Sequence, residues 1–293
     1  MKQTFFIFLM ALNMATYAQW TVQNSGTTEW LRGVDFVNAD TGIAVGYNGT
    51  VLRTTDGGAT WSLIDAGVTS DLLSVRFLNN LTCFITGAPG ILRSDDGGLT
   101  WVPVKSGWKY FNTFFVNDNI GYACGQMGMI AKTTDGGLTW SDSSTFNADM
   151  VALYFNNPDT GFVVTLGWTD AIRKTTDGGG TWTGIHSNTI AEYASVVFTS
   201  DDTGYVCSTG AVDRNILKTT DAGNTWNVVF TTPSGGLYDI EFPAKETGYV
   251  AGGFQNASTI FKSTDAGLTW EGQYTNTTSP LFSCSFVTEN LGY

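Results

Sequence analysis

The chain has 293 residues, of which 42% are apolar, 35 are glycine and only 6 are proline, enough apolar matter for a core and a composition suited to short strands and tight turns. Its 14 Lys and Arg against 26 Asp and Glu give a net charge of −12. That balance excludes sequence-independent nucleic-acid binding, which needs clustered cations, and disfavours an anionic membrane surface.

Residues 1–18 read as an export signal. Lys2 supplies a positive start, Phe5 to Met14 form a short apolar run, and Thr16-Tyr17-Ala18 offers a cleavage site after Ala18. The run is too short to span a bilayer, and the mature chain carries no transmembrane stretch. The expected location is secreted or extracytoplasmic, in the periplasm or at the cell surface.

After the signal, one octapeptide recurs six times, [ST]-x-Asp-x-Gly-x-Thr-Trp, with its tryptophans spaced by 40, 39, 42, 44 and 44 residues. The pairs are Asp56 and Trp61, Asp96 and Trp101, Asp135 and Trp140, Asp177 and Trp182, Asp221 and Trp226, and Asp265 and Trp270. A period near 40 marks a repeat architecture. Unit one reads as strand A over 31–36, strand B over 41–46, strand C over 50–55 and strand D over 61–64, separated by Asn-Ala-Asp and Tyr-Asn-Gly turns. Strand A ends on a phenylalanine in every unit: Phe36, Phe77, Phe115, Phe155, Phe198, Phe242 and Phe286. Four strands per unit of about 40 residues make a β-propeller blade. Residues 19–26 resemble the segment after an octapeptide, and 281–293 begin a further A and B strand. These ends predict a seven-bladed all-β propeller over 19–293, its last blade incomplete and closed by an N-terminal D strand.

The octapeptide falls at the C–D hairpin. Its glycines permit positive φ, its Asp can accept turn N–H and hydroxyl groups, and its Trp fills space between sheets, so its residues are expected to be structural. One carboxylate per turn falls far short of the six to eight oxygens calcium needs. No metal or other cofactor is expected. The four cysteines fall at strand positions too far apart to bridge and are expected as free thiols. The cation before each octapeptide, Arg53, Arg93, Lys132, Lys174, Lys218 or Lys262, is expected to pair with a local acid.

These octapeptides identify the repeat as similar to the BNR or Asp-box repeat of sialidases, sortilin-type receptors and xyloglucan-cleaving glycosidases. Residues 40–61 resemble more closely the repeats of photosystem II stability and assembly factors, and the resemblance runs over 20–293. It implies a non-enzymatic propeller that holds an assembly intermediate. The chain departs from that family in being acidic and poor in arginine. A sialidase would need an arginine trio, yet the chain has six arginines, two of which occupy a repeat position. Glycoside hydrolysis otherwise needs two facing carboxylates, for which Asp71, Asp149, Asp170, Glu192 and Asp213 are the acids outside the repeat pattern. The single histidine, His186, has no evident catalytic partner.

In this strand order the D–A and B–C loops share the face opposite the Asp boxes, and departures from the repeat there are the best functional clues. The candidates for a ligand face are Trp30, Tyr47, Trp108, Asp149, Trp168, Asp170, Glu192, Asp213, Arg214 and Phe254. Exposed aromatics beside acids suit a protein partner or a glycan. The reading is a monomeric, non-enzymatic binding or assembly scaffold, with a glycan-active or carbohydrate-binding surface protein and a cell-surface adhesin module as alternatives.

Overall fold

The computed structural model describes residues 20–144, 146–166, 171–186, 192–210, 214–233, 235–254, 257–273, 277 and 279–293, with the side chains of 254 and 257 outside the description. The expected export signal therefore lies outside the described residues. Among those described, no helix is long and apolar enough to cross a membrane.

Six antiparallel sheets of four strands each form six blades, every one in the order A-B-C-D. The A strands are Leu31–Phe36, Leu72–Phe77, Tyr110–Phe115, Met150–Phe155, Tyr193–Phe198 and Gly236–Glu241. They pack side by side in sequence around the central axis. The B strands, beginning at Gly42, Cys83, Gly121, Gly161, Gly204 and Gly248, lie next outward and are buried along both faces in blades one to five. That burial explains their unbroken small and apolar sequences, since neither side meets water. The short D strands form the rim, where Leu63, Val102 and Val228 face solvent.

The expectation of a seven-bladed ring is corrected here. Between blades six and one stands a ribbon of two strands, Phe286–Thr288 and Leu291–Gly292, rather than a blade. No described residues supply its third and fourth strands. Residues 20–30 form no strand either, although the Trp20 ring stands edge-on to Phe286 at 5.9 Å.

Aromatic rings hold neighbouring units together. Tyr122 on strand B of blade three stacks on Phe155 of blade four at 3.7 Å, and Phe155 meets Trp182 edge-on at 6.0 Å. The same stacked-then-perpendicular trio recurs as Phe84, Phe115 and Trp140, as Phe162, Phe198 and Trp226, and as Tyr205, Phe242 and Trp270. At the ribbon, Tyr293 stacks on Phe36 at 3.5 Å, with Trp61 edge-on to it at 5.9 Å. The invariant phenylalanine is thus the pivot of each interface. The small residue opening strand B makes room for it: a Cβ at Gly161 would stand 2.5 Å from the Phe155 ring.

Five of the six cations before the Asp boxes reach the next blade, beyond the local pairing expected from sequence. Arg53 Nε donates to Gly97 O of the next blade at 2.7 Å. Lys132, Lys174 and Lys218 donate in the same way to Gly178 O, Ala222 O and Ala266 O. Arg93 does both, reaching Gly136 O and also pairing with Asp95 at 2.7 Å. These cations latch blade to blade, and their stems cross the strand-B rings: the Lys132 ammonium sits 5.1 Å from the Tyr122 centroid. All four cysteines are free.

Candidate functional site

Each complete Asp box makes one hydrogen-bonded turn. In blade three, Thr133 Oγ1 donates to Asp135 Oδ1 at 2.7 Å and accepts Gly137 N at 2.9 Å. Asp135 in turn accepts the Thr139 amide at 3.0 Å and the Thr139 hydroxyl. The Thr139 hydroxyl and amide, then the Thr133 hydroxyl, pull Asp135 down to about 2. Asp96 and Asp265 are held near the same value, in each case chiefly by the hydroxyl of the following threonine. These carboxylates face their own turn and offer no chemistry to a ligand.

The opposite face carries the D–A and B–C loops and the mouth of the central channel. Each A strand begins here and carries a bulge near its start, at Arg32, Leu73, Phe111, Val151, Ala194 and Tyr238 in turn. Phe282 gathers the near side. Trp30 lies 5.5 Å from it, Tyr238 4.9 Å, and the Arg32 guanidinium 4.0 Å over its face.

Deeper in the channel, the residue before each pivot phenylalanine forms a ring: Asp35, Arg76, Phe114, Tyr154, Val197, Glu241 and Ser285. Asp35 accepts Phe77 N at 2.7 Å and Ser285 Oγ at 3.2 Å, and stands 3.9 Å from Arg76. One step up, Asp239 accepts the hydroxyls of Ser195 and Ser283 and the Cys284 amide. Burial raises Asp35 and Asp239 above the usual carboxylate range. Burial, reinforced by the Asp239 charge, pushes Glu241 up to about 8. Asp35 and Asp239 thus tie residues 283–285, just before the ribbon, to blades one and six, and Ser195 joins blade five to blade six.

The residues singled out from sequence do not converge on one spot. Trp30 is 53% exposed at the channel mouth, beside Tyr47, whose ring lies 5.9 Å from Arg32. Trp108 lines a separate groove of about 450 Å3 with Met127, Met129, Ser144, Phe146 and Asn147. Asp149 binds backbone: its Oδ1 accepts Met127 N at 2.9 Å. Asp71 does the same for Asn48 N at 3.2 Å in blade one. Both acids fix a left-handed residue in the B–C turn, which explains their presence without catalysis. Glu192 is exposed and bridges Leu166 in an isolated backbone pair. Arg214 is half-buried, and its carbonyl accepts Thr232 N at 2.9 Å. Phe254 ends strand Gly248–Phe254 and pairs with Ala257. Trp168, Asp170 and Asp213 lie outside the described residues.

Sequence reasoning missed Met127, Phe146, Phe282 and the channel ring. The signal for Met127 was available, because it occupies the place of Asn48 in an otherwise matching turn. The channel ring was legible as the position before each invariant phenylalanine.

Residues 12–110 match the family model described as photosynthesis system II assembly factor YCF48. The photosystem II assembly lipoprotein Ycf48 of Synechococcus sp. (strain CC9902) is 30% identical over 127 residues, 40% of this chain and 38% of that protein. The alignment thus spans well under half of that relative. Among solved structures, YCF48 bound to a D1 peptide superposes with a TM-score of 0.73 at 21% identity, covering 94% of this chain and 95% of the other. YCF48 from Cyanidioschyzon merolae follows with a TM-score of 0.69 at 19% identity, covering 90% and 91%. A GH74 xyloglucanase from Xanthomonas campestris gives 0.66 at 12% identity, covering 85% of this chain and 46% of the enzyme. At these identities the structures speak for the fold. The resemblance to photosystem II assembly factors read from the repeats is borne out by the family match and by the Synechococcus relative.

Proposed function

We propose that this chain is an exported, non-catalytic propeller of the assembly-factor type, which binds a polypeptide segment of a protein partner on the face formed by the D–A and B–C loops. The observation that carries the reading is the sequence match of the first blades to assembly factors, one of which has been solved with a D1 peptide bound. The face is consistent with it. Its aromatic side chains Trp30, Trp108 and Phe282 are presented on a rigid scaffold, which suits burial of apolar side chains from an extended segment.

The glycosidase alternative draws on the xyloglucanase fold match, but two of its candidate acids, Asp71 and Asp149, already bind backbone amides. Two assays decide between these readings. Fluorescence anisotropy with a labelled D1 peptide tests capture of a polypeptide. Reducing-sugar release from soluble xyloglucan tests turnover. Capture without turnover supports the proposal, and turnover that disappears in Glu192→Gln overturns it.

A further inference from the structure

The B–C turns of blades one and three share one backbone. Residues Tyr47–Gly49 and Gln126–Gly128 are each a single tight turn whose central residue is left-handed, Asn48 at φ 56° and Met127 at φ 55°. Each central amide is bound by an acid from the following D–A loop, Asp71 or Asp149. Each closing glycine is required by close approach of backbone, since a Cβ at Gly49 would overlap Val68 O and one at Gly128 would overlap Phe146 O. Asparagine tolerates the left-handed region, whereas a methionine there is strained by its Cβ.

Met127 is 52% exposed, so about half of its side chain is not packed in a way that offsets this strain. Its backbone is pinned by Asp149 and its side chain stands at the edge of the groove formed with Trp108, Met129 and Phe146. A strained backbone that presents a flexible apolar side chain beside two aromatic rings points toward a ligand, because thioethers adapt to varied apolar shapes.

The surroundings of the groove give the charge of that ligand. Lys109 follows Trp108 directly; its ammonium rests 5.3 Å from the Phe111 ring, and it forms no ion pair among the described residues. The Arg173 guanidinium lies 4.0 Å over Phe146. The neighbouring acids are engaged: Asp149 holds the Met127 amide, and Asp142 pairs with Lys105 at 2.7 Å and accepts the Tyr110 hydroxyl. On a chain of net charge −12, Lys109, directly after the groove residue Trp108 and without an ion pair among the described residues, favours a partner carboxylate.

We infer that the blade-three groove seats a bulky apolar side chain of a polypeptide partner, with an adjacent Asp or Glu of that partner meeting Lys109. This rests on the polypeptide-binding reading above and specifies its anchor. The probe is a phage-displayed library of random dodecapeptides selected on the full chain, followed by affinity measurement on the most enriched synthetic peptide. Enriched sequences should pair an aromatic residue, Leu or Met with Asp or Glu. The peptide should bind Met127→Asn and Trp108→Ala at least tenfold more weakly, and Lys109→Ala more weakly with a shallower salt dependence. Met127→Asn installs the residue that blade one uses at this backbone, so an unchanged circular dichroism spectrum and an undiminished Tm show that folding is intact. Peptides that bind Met127→Asn as tightly as the parent overturn the groove while leaving the polypeptide reading in place. A library that yields no binder, with xyloglucan oligosaccharide binding instead and losing affinity in Trp108→Ala, overturns both.

Discussion

On the Asp-box face, blade one and blade three are nearly interchangeable. Gly58 N and Gly137 N each donate to a threonine hydroxyl at 2.9 Å, and Thr60 N and Thr139 N reach their aspartates at 2.9 and 3.0 Å. On the opposite face the same two blades have diverged. Blade one presents Asn48, bonded through Nδ2 to Glu29 at 2.8 Å, while blade three presents an exposed methionine on an equally left-handed backbone. The first face closes its Asp-box turns with its own side chains. The second holds the backbone equally firmly, through Asp71 and Asp149, but leaves the side chain at the apex free to vary. The side chains that close the turns thus lie at one end of the strands, and those that differ between blades lie at the other.

The comparison breaks most visibly if the shared interior is damaged. Phe155 is 2% exposed and lies between Tyr122 and Trp182. Phe155→Ala should destabilise the chain by about 3–5 kcal/mol, read from urea unfolding, and should disturb both faces together. A smaller loss, about 1–3 kcal/mol, is expected for Thr133→Val, which keeps shape but removes the hydroxyl on which Gly137 N and Asp135 N both depend. Thr133 is 1% exposed, so water cannot take over those bonds. Peptide affinity measured below the unfolding midpoint should be unchanged in Thr133→Val; a loss of affinity would mean that the two faces are coupled.

Opposite pH responses sharpen the contrast between the Asp boxes and the channel. Asp135, Asp177 and Asp265 are held near 2 by hydrogen bonds to the charged form. Their stabilisation is present above the ordinary carboxylate range and is lost as pH falls toward 2. Glu241 is raised to about 8, so its contribution is full below about 4.5 and fades as pH rises through 8, where a second charge develops beside Asp239. Hydrogen exchange at pH 6 and pH 9 should therefore show the ribbon 286–292 loosening at the higher pH while the Asp-box amides keep their protection. Glu241→Gln should flatten that alkaline limb and leave the acid limb in place. An alkaline limb that persists in Glu241→Gln would assign the loosening to another buried carboxyl of the channel, Asp35 or Asp239.

The propeller was legible because its signals are local and repeated. Six octapeptides fixed the C–D hairpins, and the alternation around Phe36 placed the first A strand at 31–36, as found. The blade count was not legible in the same way, because a four-stranded sheet requires partners that sequence similarity alone does not pair: residues 286–292 match the start of a blade yet form only a ribbon. The role of Lys132 was misplaced for a related reason. Its nearest acids in sequence are in its own blade, but its ammonium crosses to Gly178 of the next, a contact visible only once the blades are packed. Asp149 likewise looked free because the amide it serves lies 22 residues away, in a turn of the preceding blade. Divergence among repeats singled out Trp108 on the face opposite the Asp boxes, but not the Met127 and Phe146 side chains that share its groove.

The smallest effect separates the two turns themselves. If the methionine at φ 55° is strained, Met127→Asn should stabilise the chain by about 1 kcal/mol, with a small upward shift in Tm. The reciprocal Asn48→Met should destabilise by somewhat more, because it introduces the strain and also removes the bond from Nδ2 to Glu29. Glu29→Ala combined with Asn48→Met separates those contributions: most of the loss attributable to the Glu29 contact should already appear in Glu29→Ala alone. Equal and negligible effects of both swaps would mean that the backbone of this turn accepts either side chain without strain, and blade three would then present its methionine at no energetic disadvantage.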